Sequence, residues 1–180
     1  KRVLSRIVES ADLSSSDIVL EIGAGRGHLT REMAGTGARI IAVEIDNALV
    51  QGPLKKLSCM PNVEVLPTDA LELDPKDLFQ ESQKYKFVAN LPYNIGSKIL
   101  RNFVCGSRPP VSSIVMLQRE VAQNLAPNNG KLGISGAVLG AFAECQYLFS
   151  VKPSSFRPVP KVTSGVVKLT AFGRPKVQKE

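Results

Sequence analysis

Ile18-Val19-Leu20-Glu21-Ile22-Gly23-Ala24-Gly25-Arg26-Gly27, residues 18–27, is the stretch on which the fold turns. Its first five residues have the length and branched apolar character of a strand buried on both faces of a parallel sheet. Glycines follow at once, and Leu29, Met33 and Ala34 then mark a helix, so the segment is a βα unit. In such a turn glycine lets the backbone approach a ligand closely, and the helix start supplies free N–H groups beside it. The spacing is G-x-G-x-G, which departs from the G-x-G-x-x-G of dinucleotide enzymes, and Glu21 lies two residues before the first glycine. An acid there would face a pyrophosphate unfavourably and the ammonium of an amino-acid ligand favourably. S-adenosylmethionine carries that ammonium together with a sulfonium.

The same strand-then-acid pattern recurs downstream. Arg39-Ile40-Ile41-Ala42-Val43 reads as a second strand ending at Glu44, near the distance at which α/β nucleotide sites place an acid on ribose hydroxyls. A helix around Ala48-Leu49-Val50 to Leu57, stopped or kinked near Pro53, leads to a third strand, Val63–Leu66, and then Asp69. An Asp at that edge can accept from an adenine amine while the next backbone N–H, that of Ala70, donates to the ring. Each of Glu21, Glu44 and Asp69 could alone be no more than a helix cap. Their recurrence at three successive strand ends favours a ligand.

Phe87-Val88-Ala89 forms the fourth strand, and Asn90-Leu91-Pro92-Tyr93 ends it. An amide, a proline and an aromatic in this order suit the holding of a planar base whose exocyclic amine is to be alkylated. The lone pair of that amine is delocalised into the ring, so removing a proton first is of little use and geometry must do the work. With the Asn90 side-chain oxygen and a carbonyl of Leu91 or Pro92 accepting its N–H bonds, the nitrogen is drawn toward a pyramid with its lone pair outward. Pro92 fixes the turn, and Tyr93 offers a stacking face. The plainer alternative is a helix-entry turn, since Asn94 and Gly96 follow the proline.

The totals bound the rest. The chain has 180 residues, enough for one domain with a full core, and no internal repeat. No apolar run is long enough to span a bilayer and the start shows no signal-peptide pattern, so no membrane association is expected. Cys59, Cys105 and Cys145 are scattered without a C-x-x-C pair and read as small core residues; neither a disulfide framework nor a metal site is expected. Net charge is +7 and unevenly placed: residues 1–90 carry 11 Lys and Arg against 13 Asp and Glu, residues 91–180 carry 12 against 3. The first half suits a cationic or neutral small molecule, and the second suits a polyanion such as nucleic acid.

The opening residues to Ala11 place Val3, Leu4, Ile7 and Val8 at helical spacing. Beyond the tetrapeptide, Gly96–Phe103 is a helix carrying Lys98 and Arg101, Ser112–Leu117 a fifth strand, and Gln118-Arg119-Glu120 opens another helix. Asn128–Lys131 reads as a turn, Ile134–Phe142 as a helix, Gln146–Val151 and Val166–Leu169 as strands. The loop from Pro153 to Ser164 between those strands suits base binding: Pro158 and Pro160 stiffen it, Phe156 can stack opposite Tyr93, and Arg157 and Lys161 can meet phosphates. A rigid hairpin around a buried Phe is its plainer reading. His28, the one histidine, has no nucleophile motif and reads as a helix-start residue.

E-I-G-A-G-R-G at 21–27, V-E-I-D at 43–46, D-A-L at 69–71, N-L-P-Y-N-I at 90–95, L-Q-R-E-V-A at 117–122 and F-R-P-V-P-K-V-T-S at 156–164 occur in order. With these the chain resembles the catalytic domain of the small-subunit rRNA adenine dimethyltransferases of the KsgA type, over nearly its whole length. The resemblance implies S-adenosylmethionine as cofactor, contacted by Gly23, Glu44, Asp69, Ala70 and Asn90; Glu21, Gly25 and Ile45, in the same strand-end motifs, complete the expected binding set. It also implies that Asn90, Leu91, Pro92 and Tyr93 hold the target adenine; Phe156 is the expected second stacking face, and Arg101, Arg119, Arg157 and Lys161 are the expected RNA contacts. Macrolide-resistance methyltransferases of the large subunit are close relatives, more often with N-I-P-Y or N-I-P-F, so Leu91 favours the small-subunit side. Two departures stand out: family members usually begin with a Q-N-F-L segment closing over the cofactor, and they carry a small helical domain after the catalytic one. A trimmed or naturally short form is expected, with cofactor affinity and choice of rRNA site both left open.

The expectation is an α/β, Rossmann-like methyltransferase sheet of about seven mostly parallel strands with an antiparallel last strand, helices on both faces, acting as a monomer on the small ribosomal subunit. The cytoplasm is the expected compartment, or an organelle or the nucleolus if a targeting segment has been removed. The expected reaction is in-line displacement by the adenine amine at the sulfonium methyl, driven mainly by orientation of two bound reactants. By resemblance it runs twice on each of two adjacent adenines near the 3′ end of the rRNA. Two other classes remain: a non-catalytic ribosome-assembly or transcription factor on the same fold, and a dinucleotide oxidoreductase.

Overall fold

The computed structural model describes residues 2–126 and 133–172. The turn expected at 128–131 lies outside the described residues. Strands β1 (Ile18–Ile22), β2 (Arg39–Glu44), β3 (Val63–Pro67), β4 (Lys86–Asn90), β5 (Ser112–Gln118), β6 (Ala143–Val151) and β7 (Ser164–Ala171) form one seven-stranded sheet in the order β3-β2-β1-β4-β5-β7-β6. β1 to β5 pair in parallel, and β7 is antiparallel to both β5 and β6. The last strand in sequence is therefore wedged inside the sheet, and β6 forms the edge.

The central strands are continuous apolar runs because both their faces are covered. Helices α1 (Arg2–Ala11) and α2 (His28–Ala34) pack on one face, where Ile7, Leu29 and Met33 meet Val19, Ile40, Val88 and Ile114. On the other face, α5 (Gly96–Val104), α6 (Arg119–Leu125) and α7 (Ile134–Gly140) set Ile99, Leu100, Leu125 and Leu139 against Leu20, Ile41, Ala89 and Val115. Each such aliphatic side chain stabilises the fold by roughly 1.5–3 kcal/mol on full burial. Phe87 of β4 stacks on Phe103 of α5 with centroids 5.2 Å apart, so the residues between β4 and α5 are fixed from both sides. Gly96 completes the joint: a Cβ there would lie 2.8 Å from Leu117 and 3.0 Å from Leu91, a fit only glycine permits.

Elsewhere the expected elements shift at their margins. The helix expected across Pro53 divides there into a short α3 (Asn47–Gln51) before the proline and a 3-10 turn at Leu54–Lys56 after it, because proline cannot continue the helix without losing a backbone bond. A four-residue α4 (Pro75–Leu78), capped by Asp74 accepting from the Lys76 N–H, was not expected. α7 ends at Gly140, and β6 and β7 both run longer than their apolar cores because pairing with each other, and of β7 with β5, extends them. Among the described residues no helix is long and apolar enough to cross a membrane.

Candidate active site

The carboxyl ends of β1 to β5 converge on one edge, where parallel α/β sheets bind ligands. The glycine loop leaves β1 with left-handed backbone at Gly23, φ 71°, and Gly25, φ 60°. The Gly23 and Ala24 N–H groups donate to the Val43 carbonyl at 2.9 and 3.1 Å, tying the loop to the end of β2. On its other side Gly23 touches the tetrapeptide: a Cβ there would sit 3.7 Å from the Pro92 ring and 3.9 Å from the Asn90 carbonyl. The loop and the tetrapeptide, 67 residues apart, thus share a wall.

Glu44 is buried and already engaged. One carboxylate oxygen accepts from the Gly25 N–H at 2.7 Å and the other from the Asp46 N–H at 3.0 Å. A carboxylate has about four lone-pair sites, so two remain for a diol. Beside it Ile45 is 67% exposed, a large apolar face at a strand end with nothing over it. Asp69 accepts from the Leu71 N–H at 2.8 Å through one oxygen, an Asx turn that shapes the loop and leaves the second oxygen open. Ala70 is buried next to it. An acid with spare acceptors, an exposed apolar face and a small buried residue match ribose and purine, so the residues present fit S-adenosylmethionine.

Glu21 differs from the direct ammonium contact that its sequence position suggested. It is 1% exposed, and its carboxyl accepts from the Thr30 hydroxyl of α2 at 2.6 Å. Burial pushes its pKa up to about 8, opposed by the Thr30 hydrogen bond and assisted by the charge of Glu44. As it stands, Glu21 is a largely neutral acid at pH 7 that clamps β1 to α2. Thr30 is a site residue that sequence reasoning missed.

The tetrapeptide and the Phe156 loop do come together. Asn90, Leu91, Pro92 and Tyr93 line a cavity of about 240 Å³ with Phe156, Pro158 and Pro160. The Pro92 carbonyl already accepts from the Gly96 N–H at 2.7 Å and the Ile95 N–H at 3.3 Å, which favours the Leu91 carbonyl as the second acceptor beside the Asn90 amide. Tyr93 is held by a residue not anticipated: its hydroxyl hydrogen-bonds Ser164 Oγ at 2.7 Å, and Ser164, the first residue of β7, is 0% exposed. Phe156 is half-buried, packed on the cluster beneath α1, with its loop closing the cavity.

The four expected RNA contacts do not form one cluster. Arg157 and Lys161 are exposed on the Phe156 loop. Arg119 lines a separate cleft with Gln118, Glu120, Val162 and Thr163, and Arg101 lines another on α5. Among the described residues there is no group of three or more His, Cys, Asp or Glu side chains able to hold a metal ion.

Sheet order, antiparallel β7 and a glycine loop facing an Asn-Leu-Pro-Tyr turn together define a Rossmann-like methyltransferase fold. The model of the family described as ribosomal RNA adenine dimethylase matches residues 1–179, and the chain belongs to that family. It is 35% identical over 93% of its length to the ribosomal RNA small subunit methyltransferase A of Dehalococcoides mccartyi and spans 57% of that relative. It is 35% identical over its full length to the protein of the same name from Alkaliphilus oremlandii, spanning 64% of it. Among solved structures, the 23S rRNA methyltransferase ErmE superposes with a TM-score of 0.86 at 27% identity, over 99% of this chain and 71% of that one. A dimethyladenosine transferase from Plasmodium falciparum gives 0.81 at 29% identity, over 95% of this chain and 62% of that one.

Proposed function

We propose that the protein transfers methyl groups from S-adenosylmethionine to the exocyclic amines of two adjacent adenines near the 3′ end of small-subunit rRNA, as a step in maturation of the small ribosomal subunit. The observation that carries this reading is the cavity in which Asn90 to Tyr93 face Phe156, against the glycine loop through Gly23. It has the size and lining for one flipped purine.

Gly23, Gly25, Glu44, Ile45, Asp69 and Ala70 hold S-adenosylmethionine, which when bound supplies an electrophilic methyl carbon. Glu44 accepts from the ribose hydroxyls while its backbone partners keep it from rotating away. Asn90 Oδ1 and the Leu91 carbonyl accept the two N–H bonds of the target amine and stabilise the positive charge that develops on it. Tyr93 and Phe156 sandwich the ring, each contributing roughly 1–3 kcal/mol toward holding an extracted base. Ser164 keeps the Tyr93 ring at the cavity wall. Arg119, Arg157 and Lys161 meet the RNA backbone around it.

The large-subunit reading keeps one specific support, the superposition on ErmE. Incubation with labelled methyl donor and each ribosomal subunit, followed by mapping of the modified base, separates the two. Label on adjacent adenines of the small-subunit RNA is expected; label confined to the large subunit overturns the assignment. Binding of RNA and cofactor without transfer to either would instead identify a non-catalytic assembly factor.

A further inference from the structure

A second cavity, about 270 Å³, lies between α5 and α7 and is not used by the chemistry described above. Its floor is apolar, from Leu125 and Leu139. One wall is also apolar but open to solvent: Ile134 is 89% and Val138 41% exposed, one turn apart on the same face of α7. Facing them are Lys98 and Arg101, both exposed, three residues apart on α5 and without an ion-pair partner among the described residues. Among the described residues no acidic side chain lines the groove.

We propose that this groove is a nucleotide subsite for the RNA strand that delivers the target base, with a neighbouring unstacked base lying on Ile134 and Val138 and its phosphates on Lys98 and Arg101. Exposed aliphatic side chains beside unpaired cations match few partners. A single-stranded nucleic acid supplies both halves in every residue, an apolar ring face and an anion. The volume lies just below the roughly 300 Å³ at which drug-sized sites begin, which suits one base with its sugar. Position carries the same sense. α5 starts on the tetrapeptide, its Gly96 N–H donating to the Pro92 carbonyl at 2.7 Å, and Arg101 follows five residues on, about 7.5 Å along a helix axis. A strand with one base between Tyr93 and Phe156 therefore meets this groove next. The proposal rests on the reading of the Asn90 cavity as a base site, and its test is arranged so that the two can fail separately.

Val138→Glu and Ile134→Glu each place an anion where a phosphate-bearing base would lie, on exposed residues whose change leaves the core intact. Each variant is compared with wild type by fluorescence anisotropy on single-stranded RNA containing the target sequence, and by methyl transfer with RNA titrated. A tenfold or greater loss of RNA affinity and a matching rise in KM, with cofactor binding and kcat at saturating RNA unchanged, is the expected result. With 4-thiouridine beside the target adenine, photocrosslinks should map to residues 134–139 or 98–101. Wild-type affinity in both variants, or crosslinks confined to the Phe156 loop, overturns the subsite while leaving methyl transfer standing. Competition for the groove by an acidic peptide but not by RNA also overturns it. Absence of transfer by wild type would count against the catalytic reading alone, since the anisotropy arm still reports on the groove.

Discussion

The two ends of the sheet's carboxyl edge are built in opposite ways. Over β1 to β3 the polar groups arrive already partnered: Glu44 carries two backbone N–H groups, Asp69 carries one, and Glu21 is capped by Thr30. Over β4 to β7 the surface is open, made of prolines, ring faces and cations without ion-pair partners among the described residues, and Tyr93 is anchored there by Ser164. A small ligand of fixed shape is best met by groups that need not reorganise, whereas a polymer that must first unstack a base needs apolar plates and loosely held charge. If that division is real, substitutions on the two sides should separate binding of the cofactor from action on RNA.

The largest separation is expected at Asn90, which stands at the junction. Asn90→Ala removes one of the two acceptors proposed for the target amine, and single-turnover methyl transfer should fall by about 10²–10³-fold, the usual cost of losing one preorganised electrostatic partner. Cofactor affinity by calorimetry should change little, because Glu44, Ile45 and Asp69 remain. Equal losses in both would place Asn90 with the cofactor group and erase the boundary.

Glu44→Ala is the mirror experiment and the next largest. It removes the charged acceptor proposed for the ribose and also frees the Gly25 and Asp46 N–H groups that it restrains. Hydrogen bonds to charged groups contribute about 1.5–3 kcal/mol, so the cofactor Kd should rise by about 10–100-fold. Turnover at saturating cofactor should stay near wild type. An unchanged Kd would mean that Glu44 serves only the loop.

What could be read in advance follows the same line. Parallel central strands betray themselves because burial on both faces demands apolar runs, and Ile18–Leu20, Ile40–Val43 and Phe87–Ala89 supply them. That the residues at the strand ends would gather at one edge was legible because a parallel sheet delivers its carboxyl ends together. The Tyr93–Ser164 tether was not, since its partners are 71 residues apart and serine is common in loops. Nor was the inward turn of Glu21, which depends on where α2 packs. The extents of β6 and β7 likewise depend on mutual pairing, which leaves no periodic trace in Ala143–Cys145.

That tether gives a smaller effect, confined to the RNA side. Ser164→Ala removes one neutral hydrogen bond, worth about 0.5–1.5 kcal/mol, from the ring proposed to orient the base. KM for RNA should rise by about 2–10-fold with kcat nearly constant, and Tyr93→Phe should reproduce it. Ser164→Thr keeps a hydroxyl and should rescue part of the loss. A fall in cofactor affinity in any of the three would show that the two sides are coupled through β7.

The smallest effect on binding and turnover belongs to Glu21, whose change should show in stability instead. Its carboxyl titrates near the ordinary value of 4.5 when unfolded and is pushed up to about 8 when folded, chiefly by burial. The folded state therefore binds the extra proton between those values, and unfolding releases it. Stability linked to this group is full below pH 4.5, declines as pH rises, and is lost once pH passes about 8. Glu21→Gln is neutral at every pH and can still accept from Thr30, so its melting temperature should exceed that of wild type by a margin that grows across this window. Parallel curves would mean that the carboxyl is ionised in the fold. In that case the β1 side presents a standing negative charge to the ammonium of its ligand, and the contrast between a pre-satisfied and an open half would have to be redrawn with Glu21 among the unsatisfied groups.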